Sequence, residues 1–136
     1  KELFSYRKIN IPQDIIICDV YMQKKYASND SIAIKMKEVD DQRKKAQPQL
    51  IKTAGSTFKN PKNQTDKKAW EIIEEAGLKN FELQGICFSS KHSNFIVNNQ
   101  AKSANLIEDF GEYVRSDVKK KLGISLSWEI KIFGKR

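Results

Sequence analysis

Long apolar runs, paired cysteine motifs and arginine are all scarce in this 136-residue chain. No apolar stretch approaches the roughly 20 residues that cross a bilayer, which favours a cytoplasmic protein without a membrane partner. Cys18 and Cys87 lie in apolar runs outside any CxxC motif, so we expect buried free thiols and no metal site. The N-terminus lacks both the apolar region of a signal peptide and an initiator methionine, which indicates a fragment of a longer protein.

Arginine is rare although the chain has a formal net charge of +8. Of its 25 basic residues, 21 are lysine and 4 are arginine, and the lysines are scattered apart from Lys119–Lys121. Bidentate phosphate and base contacts favour arginine, and nucleic-acid sites usually combine clustered basic residues with exposed aromatic ones. The charge therefore favours an anionic ligand, and a basic, non-catalytic nucleic-acid-binding module is kept as the alternative function.

The order of apolar patterns predicts an α+β fold in a single domain, with three helices packed on a small, mostly antiparallel sheet. β-Branched and aromatic residues predict a first strand over residues 11–22. A helix is then predicted from near Asp30 to just before Pro48. Its apolar face is marked by residues at helical spacing, namely Ile32, Met36, Val39 and Arg43. Arg43 either lies at the edge of the core or reaches a ligand.

A second helix follows a polar loop in which Asp66 can cap the free backbone amides. This helix is expected to bury Trp70 and to end at Gly77 in the left-handed conformation. Two extended segments are predicted next, at residues 81–88 with an interruption at Gly85 and at residues 95–98, joined by a polar turn.

The third helix is predicted to begin at Ser103 or Asn105 and to end at Gly123. The last segment, residues 126–133, alternates apolar and polar residues as a half-buried strand does. In that strand Glu129 faces away from the core, which makes it either an ordinary exposed carboxylate or a rigidly held functional one.

The segment Thr53–Pro61 combines residue types that suit an anion-binding or proton-donating site. Gly55 permits close backbone approach and unusual φ angles, and Pro61 restricts the residue before it. Ser56, Lys59 and Asn60 then place a hydroxyl, a cation and an amide on one short segment. The plainer interpretation is a strand-to-turn junction, and spacing alone favours that interpretation.

The single histidine, His92, follows Lys91 in the polar turn between the predicted strands. A lone histidine in a turn is usually a surface residue, and the alternative is a hydrogen-bond donor to phosphate.

Four blocks of sequence together resemble one known family in their order and spacing. They are Ala54–Pro61 (AGSTFKNP), Ala69–Lys79 (AWEIIEEAGLK), Ser89–Asn98 (SSKHSNFIVN) and Trp128–Gly134 (WEIKIFG). The chain resembles the C-terminal, substrate-binding domain of the UDP-N-acetylenolpyruvoylglucosamine reductase family over nearly its whole length.

The resemblance implies a flavoenzyme of peptidoglycan precursor synthesis. In that family NADPH reduces FAD, and the flavin delivers hydride to the enolpyruvyl double bond of a UDP-sugar to give UDP-N-acetylmuramate. By the same resemblance, Ser56 is the proton donor and Glu129 is the second catalytic residue. Gly55, Lys59, Asn60, Lys91 and His92 are implied in substrate binding.

Tyr6 and Arg7 resemble the family's Tyr-Arg-x-Ser segment, which leaves them as further substrate-binding candidates. Ile9 stands where that segment has serine, so Arg7 has the alternative of a pairing role across a domain junction.

The flavin-binding region of the family has no counterpart in this sequence, and no glycine-rich phosphate-binding loop is present. We therefore expect residues 1–12 to be the end of a preceding FAD-binding domain and residues 13–136 to be the substrate-binding domain. The isolated chain is expected to be a monomer, to hold neither FAD nor NADPH and to be inactive. A third possibility is a fragment that only packs against its flavin domain and binds ligand poorly alone.

Overall fold

The computed structural model describes residues 4–5, 8–12, 14–100 and 102–134, which fall into two compact units, 1–34 and 35–136. In the first unit, β1 (Phe4–Ser5) and β2 (Lys8–Ile9) form a short antiparallel ladder. None of the described residues belongs to a helix long and apolar enough to cross a membrane.

The strand predicted over residues 11–22 is wrong, because the residues described in this range pair with no other strand. Ile16 and Tyr21 are 85% and 95% exposed. β-Branched and aromatic residues fit a sheet only where a neighbouring strand supplies main-chain and side-chain partners. The prediction of buried thiols fails here as well, since Cys18 is free but exposed and only Cys87 is partly buried.

The first helix, α1 (Asn29–Ala46), confirms the prediction and ends before Pro48. The hydroxyl of Ser28 accepts a hydrogen bond from the Ser31 amide at its start. The helix lacks its expected packing, however, because none of residues 29–46, all of which are described, is buried. Arg43 donates to the side chain of Gln47 one turn further on, at 3.2 Å.

The second unit is built on the antiparallel sheet β3 (Glu82–Leu83), β4 (Ile86–Ser89) and β5 (His92–Asn98), in that order. The extended segment predicted over residues 81–88 is in fact a hairpin. Gln84 and Gly85 have φ values of 49° and 80°, which close a two-residue turn between β3 and β4.

Two helices, α2 (Ala69–Glu75) and α3 (Ala104–Leu122), lie in the same unit. The predicted cap at Asp66 is wrong: Lys68 is the N-cap of α2, and its amide donates to the Glu71 carboxylate at 2.7 Å. Gly77 follows α2 in the left-handed conformation, as predicted.

The predicted ends of α3 are confirmed. The hydroxyl of Ser103 accepts a hydrogen bond from the Asn105 amide at 3.2 Å. Gly123 caps the C-terminus in the left-handed conformation.

The core is formed between the sheet, α2 and α3. Its fully enclosed side chains include Phe58, Ile72, Ile73, Ile86, Phe110, Val114, Val118 and Leu126. Trp70 was predicted to be a core residue, but it is only half-buried and meets the edge of the His92 ring. The α+β class with a small antiparallel sheet and three helices is confirmed.

The strand predicted over residues 126–133 is reduced to a single bridge, between Trp128 and Phe58. Leu126 is 1% exposed whereas Ile132 is 51% exposed, so the expected alternation buries only the first part of the segment. Residues 127–129 nevertheless keep strand-like hydrogen bonds, which place Glu129.

Candidate active site

Residues 56–59 lie between β5 on one side and residues 127–129 on the other. Ser56 forms an antiparallel bridge with Phe95 of β5. On the other side the Glu129 amide donates to the Thr57 carbonyl at 2.8 Å, and the Lys59 amide donates to the Ser127 carbonyl at 2.8 Å. These bonds extend the sheet by two short irregular segments that carry the two predicted catalytic residues.

Asn94, in β5, holds the middle of the Ser56 segment through three hydrogen bonds. Its carbonyl accepts from the Thr57 amide at 2.7 Å. Its side-chain amide pairs with both backbone groups of Phe58: Oδ1 accepts from the amide and Nδ2 donates to the carbonyl, each at 2.9 Å. Asn94 is 4% exposed, so these bonds lie within the protein.

Gly55 precedes this held segment with a φ of 89°, a conformation that residues with a Cβ rarely adopt. Its amide donates to the Thr53 hydroxyl at 3.3 Å. No described atom lies within 4 Å of the position that a Cβ would take, so the requirement for glycine here is conformational. The turn places Ser56, which is half-buried, at the first position of the paired segment.

The Glu129 segment is anchored to α3 through Trp128. The indole ring lies directly over Gly111, where a Cβ would come within 1.9 Å of the ring. The indole Nε1 donates to Glu112 at 2.9 Å, and the ring also packs against Phe58 at 5.0 Å between centroids. Glu129 itself is half-buried, with its Oε2 shielded from solvent.

Ser56 and Glu129 therefore lie on neighbouring segments, but they are not paired directly with each other. The backbone of Glu129 pairs with Thr57, and Thr57 follows Ser56 directly. Thr57 is 1% exposed, and its hydroxyl accepts from the Ile96 amide at 3.3 Å. The structure thus brings the two backbones together, across a buried threonine.

Lys59 and Asn60 continue the same segment and are both half-buried. The side-chain oxygen of Asn60 accepts from the Ala69 amide at 2.9 Å, at the first residue of α2. Asn60 therefore has a structural role in fixing the start of α2, in addition to any contact with a ligand.

Lys91 and His92 lie at the hairpin end of β5, about 10 Å along the strand from the Ser56 bridge at Phe95. Lys91 Nζ donates to the Lys44 carbonyl at 3.3 Å. His92 is half-buried rather than on the surface: its ring packs against Phe95, and its Nδ1 accepts from the Asn94 amide at 3.2 Å. His92 is thus connected to the Ser56 segment through Phe95.

Burial lowers the pKa of His92, although its own backbone hydrogen bond and the charge of Glu74 act in the opposite direction. Hydrogen bonds from Ser93 and Lys79 hold the pKa of Glu74 below its usual value, at O–O and N–O distances of 2.6 and 3.0 Å. His92 is therefore mostly neutral at pH 7, which limits it to one N–H donor, at Nε2. Tyr6 and Arg7, the remaining candidates, lie outside the described residues.

Two adjoining cavities open beside the Ser56 segment, and the sequence did not predict them. The smaller, about 290 Å³, is lined by Lys52, Thr53, Ala54, Thr57, Ile96, Asn98, Ile107 and Ile130. The larger, about 550 Å³, shares Ala54, Ile107 and Ile130 and extends along residues 130–134. Their lining comes from four separate parts of the chain, so no local pattern could have identified it.

The described helices lack one common dinucleotide-binding feature. No glycine lies within the three residues before α1, α2 or α3, so none of these helices begins with a glycine-rich phosphate turn. Within the described ranges, no three His, Cys, Asp or Glu side chains are grouped so as to hold a metal ion.

Comparison with known proteins identifies the family. Residues 47–133 match the family model described as UDP-N-acetylenolpyruvoylglucosamine reductase, C-terminal domain. The chain belongs to this family. The resemblance carried by the four sequence blocks is thereby confirmed.

Relatives with the name UDP-N-acetylenolpyruvoylglucosamine reductase occur in Rickettsia akari and Rickettsia typhi, each 38% identical over 132 residues. The alignments cover 97% of this chain and 44% of each relative. The crystal structure of UDP-N-acetylenolpyruvylglucosamine reductase (MurB) from Thermus caldophilus is also similar, with a TM-score of 0.72 and 34% identity over 93% of this chain and 44% of that one. The chain thus spans less than half the length of these relatives.

Proposed function

We propose that this chain is the substrate-binding and proton-donating part of an NADPH- and FAD-dependent reductase. The enzyme converts UDP-N-acetylglucosamine enolpyruvate to UDP-N-acetylmuramate in cytoplasmic peptidoglycan precursor synthesis. The observation that carries this proposal is the hydrogen-bonded adjacency of the Ser56 and Glu129 segments. The residues that follow them, Thr57 and Ile130, line an apolar cavity, although Ser56 and Glu129 themselves do not. Family membership makes the nucleic-acid-binding alternative unnecessary to explain the basic surface, which suits a UDP-sugar instead.

Ser56 donates the proton in this mechanism. Addition of hydride to the terminal carbon of the enolpyruvyl double bond leaves negative charge on the neighbouring carbon, which is shared with the carboxylate. The Ser56 Oγ–H bond breaks as a C–H bond forms at that carbon. A serine hydroxyl is a weak acid in water, so this transfer requires a strongly basic carbanion, a fixed geometry and exclusion of solvent.

The fixed geometry comes from the segment that holds Ser56. Gly55 sets the turn before it, and Asn94 and Phe95 hold the backbone on the side of β5. Glu129 positions the substrate or relays a proton back to Ser56, and the Lys59 ammonium offsets negative charge as it develops. Gly55, Asn60, Lys91 and His92 contribute to binding the UDP-sugar, with His92 acting as a neutral donor.

Hydride chemistry belongs to an FAD-binding region outside this chain. In this proposal residues 1–12 end that region and residues 13–136 form the substrate-binding domain. Tyr6 and Arg7 lie at the junction. The chain acts as a monomer and is inactive alone.

The two half-reactions of the full-length enzyme test the assignment. Ser56→Ala should leave NADPH-dependent bleaching of the flavin at the wild-type rate, because that step needs no proton from Ser56. Reoxidation by the enolpyruvyl substrate should slow by about 10²- to 10⁴-fold, the usual contribution of a positioned acid. Ser90→Ala is a matched control, since Ser90 is exposed in the turn between β4 and β5. Turnover near normal in Ser56→Ala would overturn the proposal.

Titration of the 136-residue chain with UDP-N-acetylglucosamine separates the remaining interpretations. Saturable binding is expected if the chain contains the nucleotide-sugar site. If the chain does not bind the UDP-sugar but associates tightly with a separately produced flavin domain, the result would favour a fragment that only packs against that domain. Salt-dependent binding of RNA without any UDP-sugar binding would favour the nucleic-acid module.

A further inference from the structure

We propose that Asn94 is a positioning residue for Ser56, and that its side-chain amide determines how well the serine hydroxyl is aligned for proton donation. This inference rests on the proposed function, because it assigns the alignment of the same proton donor. It concerns a residue that does not touch the reacting atoms and acts only through the Ser56 segment.

Asn94 holds two consecutive residues of the Ser56 segment. The Asn94 amide occupies both backbone hydrogen-bonding groups of Phe58, in the manner of a neighbouring strand, at 2.9 Å each. Its own carbonyl also accepts the Thr57 amide at 2.7 Å. Two consecutive residues after Ser56 are therefore held by one side chain and its backbone, which restricts the direction in which the Ser56 Cα–Cβ bond points.

The backbone of Phe58 requires a partner of a particular chemistry. Phe58 offers one donor and one acceptor, so its partner must accept at one atom and donate at the other. An asparagine amide does both from one planar group, whereas an aspartate can only accept and a leucine does neither. A glutamine amide has the same two atoms but lies one methylene further from the backbone.

Burial makes the hydrogen bonds between Asn94 and Phe58 difficult to replace. Asn94 and Phe58 are 4% and 2% exposed, so water does not replace a lost bond without a change in packing. Loss of either hydrogen bond therefore requires the segment to shift, and a displacement of about 1 Å at a reacting group can cost about 100-fold in rate. The expected consequence is a defect in kcat rather than in substrate affinity.

The molecule contains a matched control for a side-chain amide that pairs with a backbone. Gln64 Nε2 donates to the Ser125 carbonyl at 2.9 Å, and its Oε1 accepts the Ser125 amide at 2.8 Å. This pair also joins the C-terminal segment to an earlier loop, but both of its residues are exposed, and Gln64 follows Ser56 by eight residues in the chain. A purely structural role predicts the same kinetic behaviour for both amides.

The test uses the full-length enzyme with Asn94→Leu, Asn94→Asp and Gln64→Leu. Both Asn94 variants should lower kcat by about 10- to 100-fold with little change in KM, while the NADPH half-reaction stays at the wild-type rate. The ratio of kcat in H₂O to kcat in D₂O should rise, because proton donation becomes slower than the other steps. Gln64→Leu should lower Tm and leave kcat and the isotope effect unchanged.

A double variant decides whether Asn94 acts through Ser56. In a Ser56→Ala background, Asn94→Asp should cause no further loss of kcat, because the group it aligns is absent. An additional loss equal to that in the wild type would overturn the inference, as would unchanged kcat and isotope effect in both Asn94 variants. If Asn94→Leu does not fold, Asn94→Asp, which keeps an acceptor for the Phe58 amide, provides the same comparison. A wild-type rate in Ser56→Ala would instead refute the proposed function itself.

Discussion

Helices α1 and α3 carry similar apolar spacing but have different environments. Ile32, Met36 and Val39 repeat on α1 at intervals of four and three residues and are 44–68% exposed. Phe110, Val114 and Val118 repeat on α3 at intervals of four and are all 0% exposed. A periodic pattern therefore specifies which face of a helix is apolar, but it does not specify what covers that face.

The largest difference between the two helices should appear when a large side chain is removed from each. Phe110→Ala is expected to lower the free energy of unfolding of the 136-residue chain by about 3–5 kcal/mol, since it leaves a cavity beneath Phe81 and Phe88. Val39→Ala on α1 should change it by less than about 0.5 kcal/mol. Urea denaturation measures both, and similar losses would mean that α1 is buried in solution.

A substitution at Gly111 tests the packing of α3 against the Trp128 ring. Gly111→Ala places a methyl group 1.9 Å from the Trp128 ring, so the ring must move. The free energy of unfolding is expected to fall by about 1–3 kcal/mol. Tryptophan fluorescence should shift as well, because Glu112 and Phe58 can no longer hold the indole in place.

The full-length Gly111→Ala enzyme should also turn over more slowly, since Glu129 follows Trp128 directly. Ser116→Ala, at an exposed position of α3, is the control and should change neither property. A Gly111→Ala protein with unchanged fluorescence and rate would contradict the role given to Trp128.

A smaller difference is expected in the response to acid. Ser93 and Lys79 hold the pKa of Glu74 below its usual value of 4.5, so this contact stabilises the fold above about pH 4.5, and the stabilisation is lost as the pH falls through the lower, folded-state pKa. Ser93→Ala should remove most of this acid dependence, because the 2.6 Å hydrogen bond from the Ser93 hydroxyl lowers the pKa of Glu74 more than any other contact does.

The Asp40–Lys44 pair of α1 provides the comparison for that experiment. Both side chains are about half exposed, so Asp40→Asn should leave the acid limb of a denaturation curve nearly unchanged. Denaturation measured from pH 7 to pH 3 tests both variants. If the two variants change the acid limb equally, the Glu74 cluster contributes no more than an ordinary surface contact does.

The smallest expected effect concerns His92. Burial lowers its pKa from 6.5, so acidification should charge the ring only below that value and should destabilise the fold between the unfolded and folded pKa values. Titration of the His92 ring protons by NMR measures this directly. A midpoint at or above 6.5 would contradict the burial described for His92. It would also mean that a charged His92 ring is available to donate to phosphate.

The sequence predicted the elements whose signals are local. Ser103 and Gly123 mark the ends of α3 because their side chain or φ satisfies the helix's own terminal groups, and Gly77 does the same after α2. The Ser90–Lys91 turn was also recognisable as a polar interval between apolar residues. These features depend on residues within one or two turns of each other.

The errors concern features that depend on distant partners. Residues 11–22 and 126–133 have strand-like composition, but a strand forms only where another backbone is available, and only Trp128 of the second segment takes part in a bridge. The contact of Asn94 with Phe58 joins residues 36 positions apart, so no motif indicates it. The roles proposed for Ser56 and Glu129 rest on the family resemblance and not on spacing.

One structure tests the central claim most directly: the full-length enzyme crystallised with oxidised flavin and UDP-N-acetylglucosamine enolpyruvate. The proposal predicts that Ser56 Oγ lies within about 4 Å of the carbon that receives the proton, with the Glu129 carboxylate on the same ligand. A substrate whose enolpyruvyl group lies more than about 8 Å from Ser56, or on the face of the sheet opposite to it, would contradict the proposal.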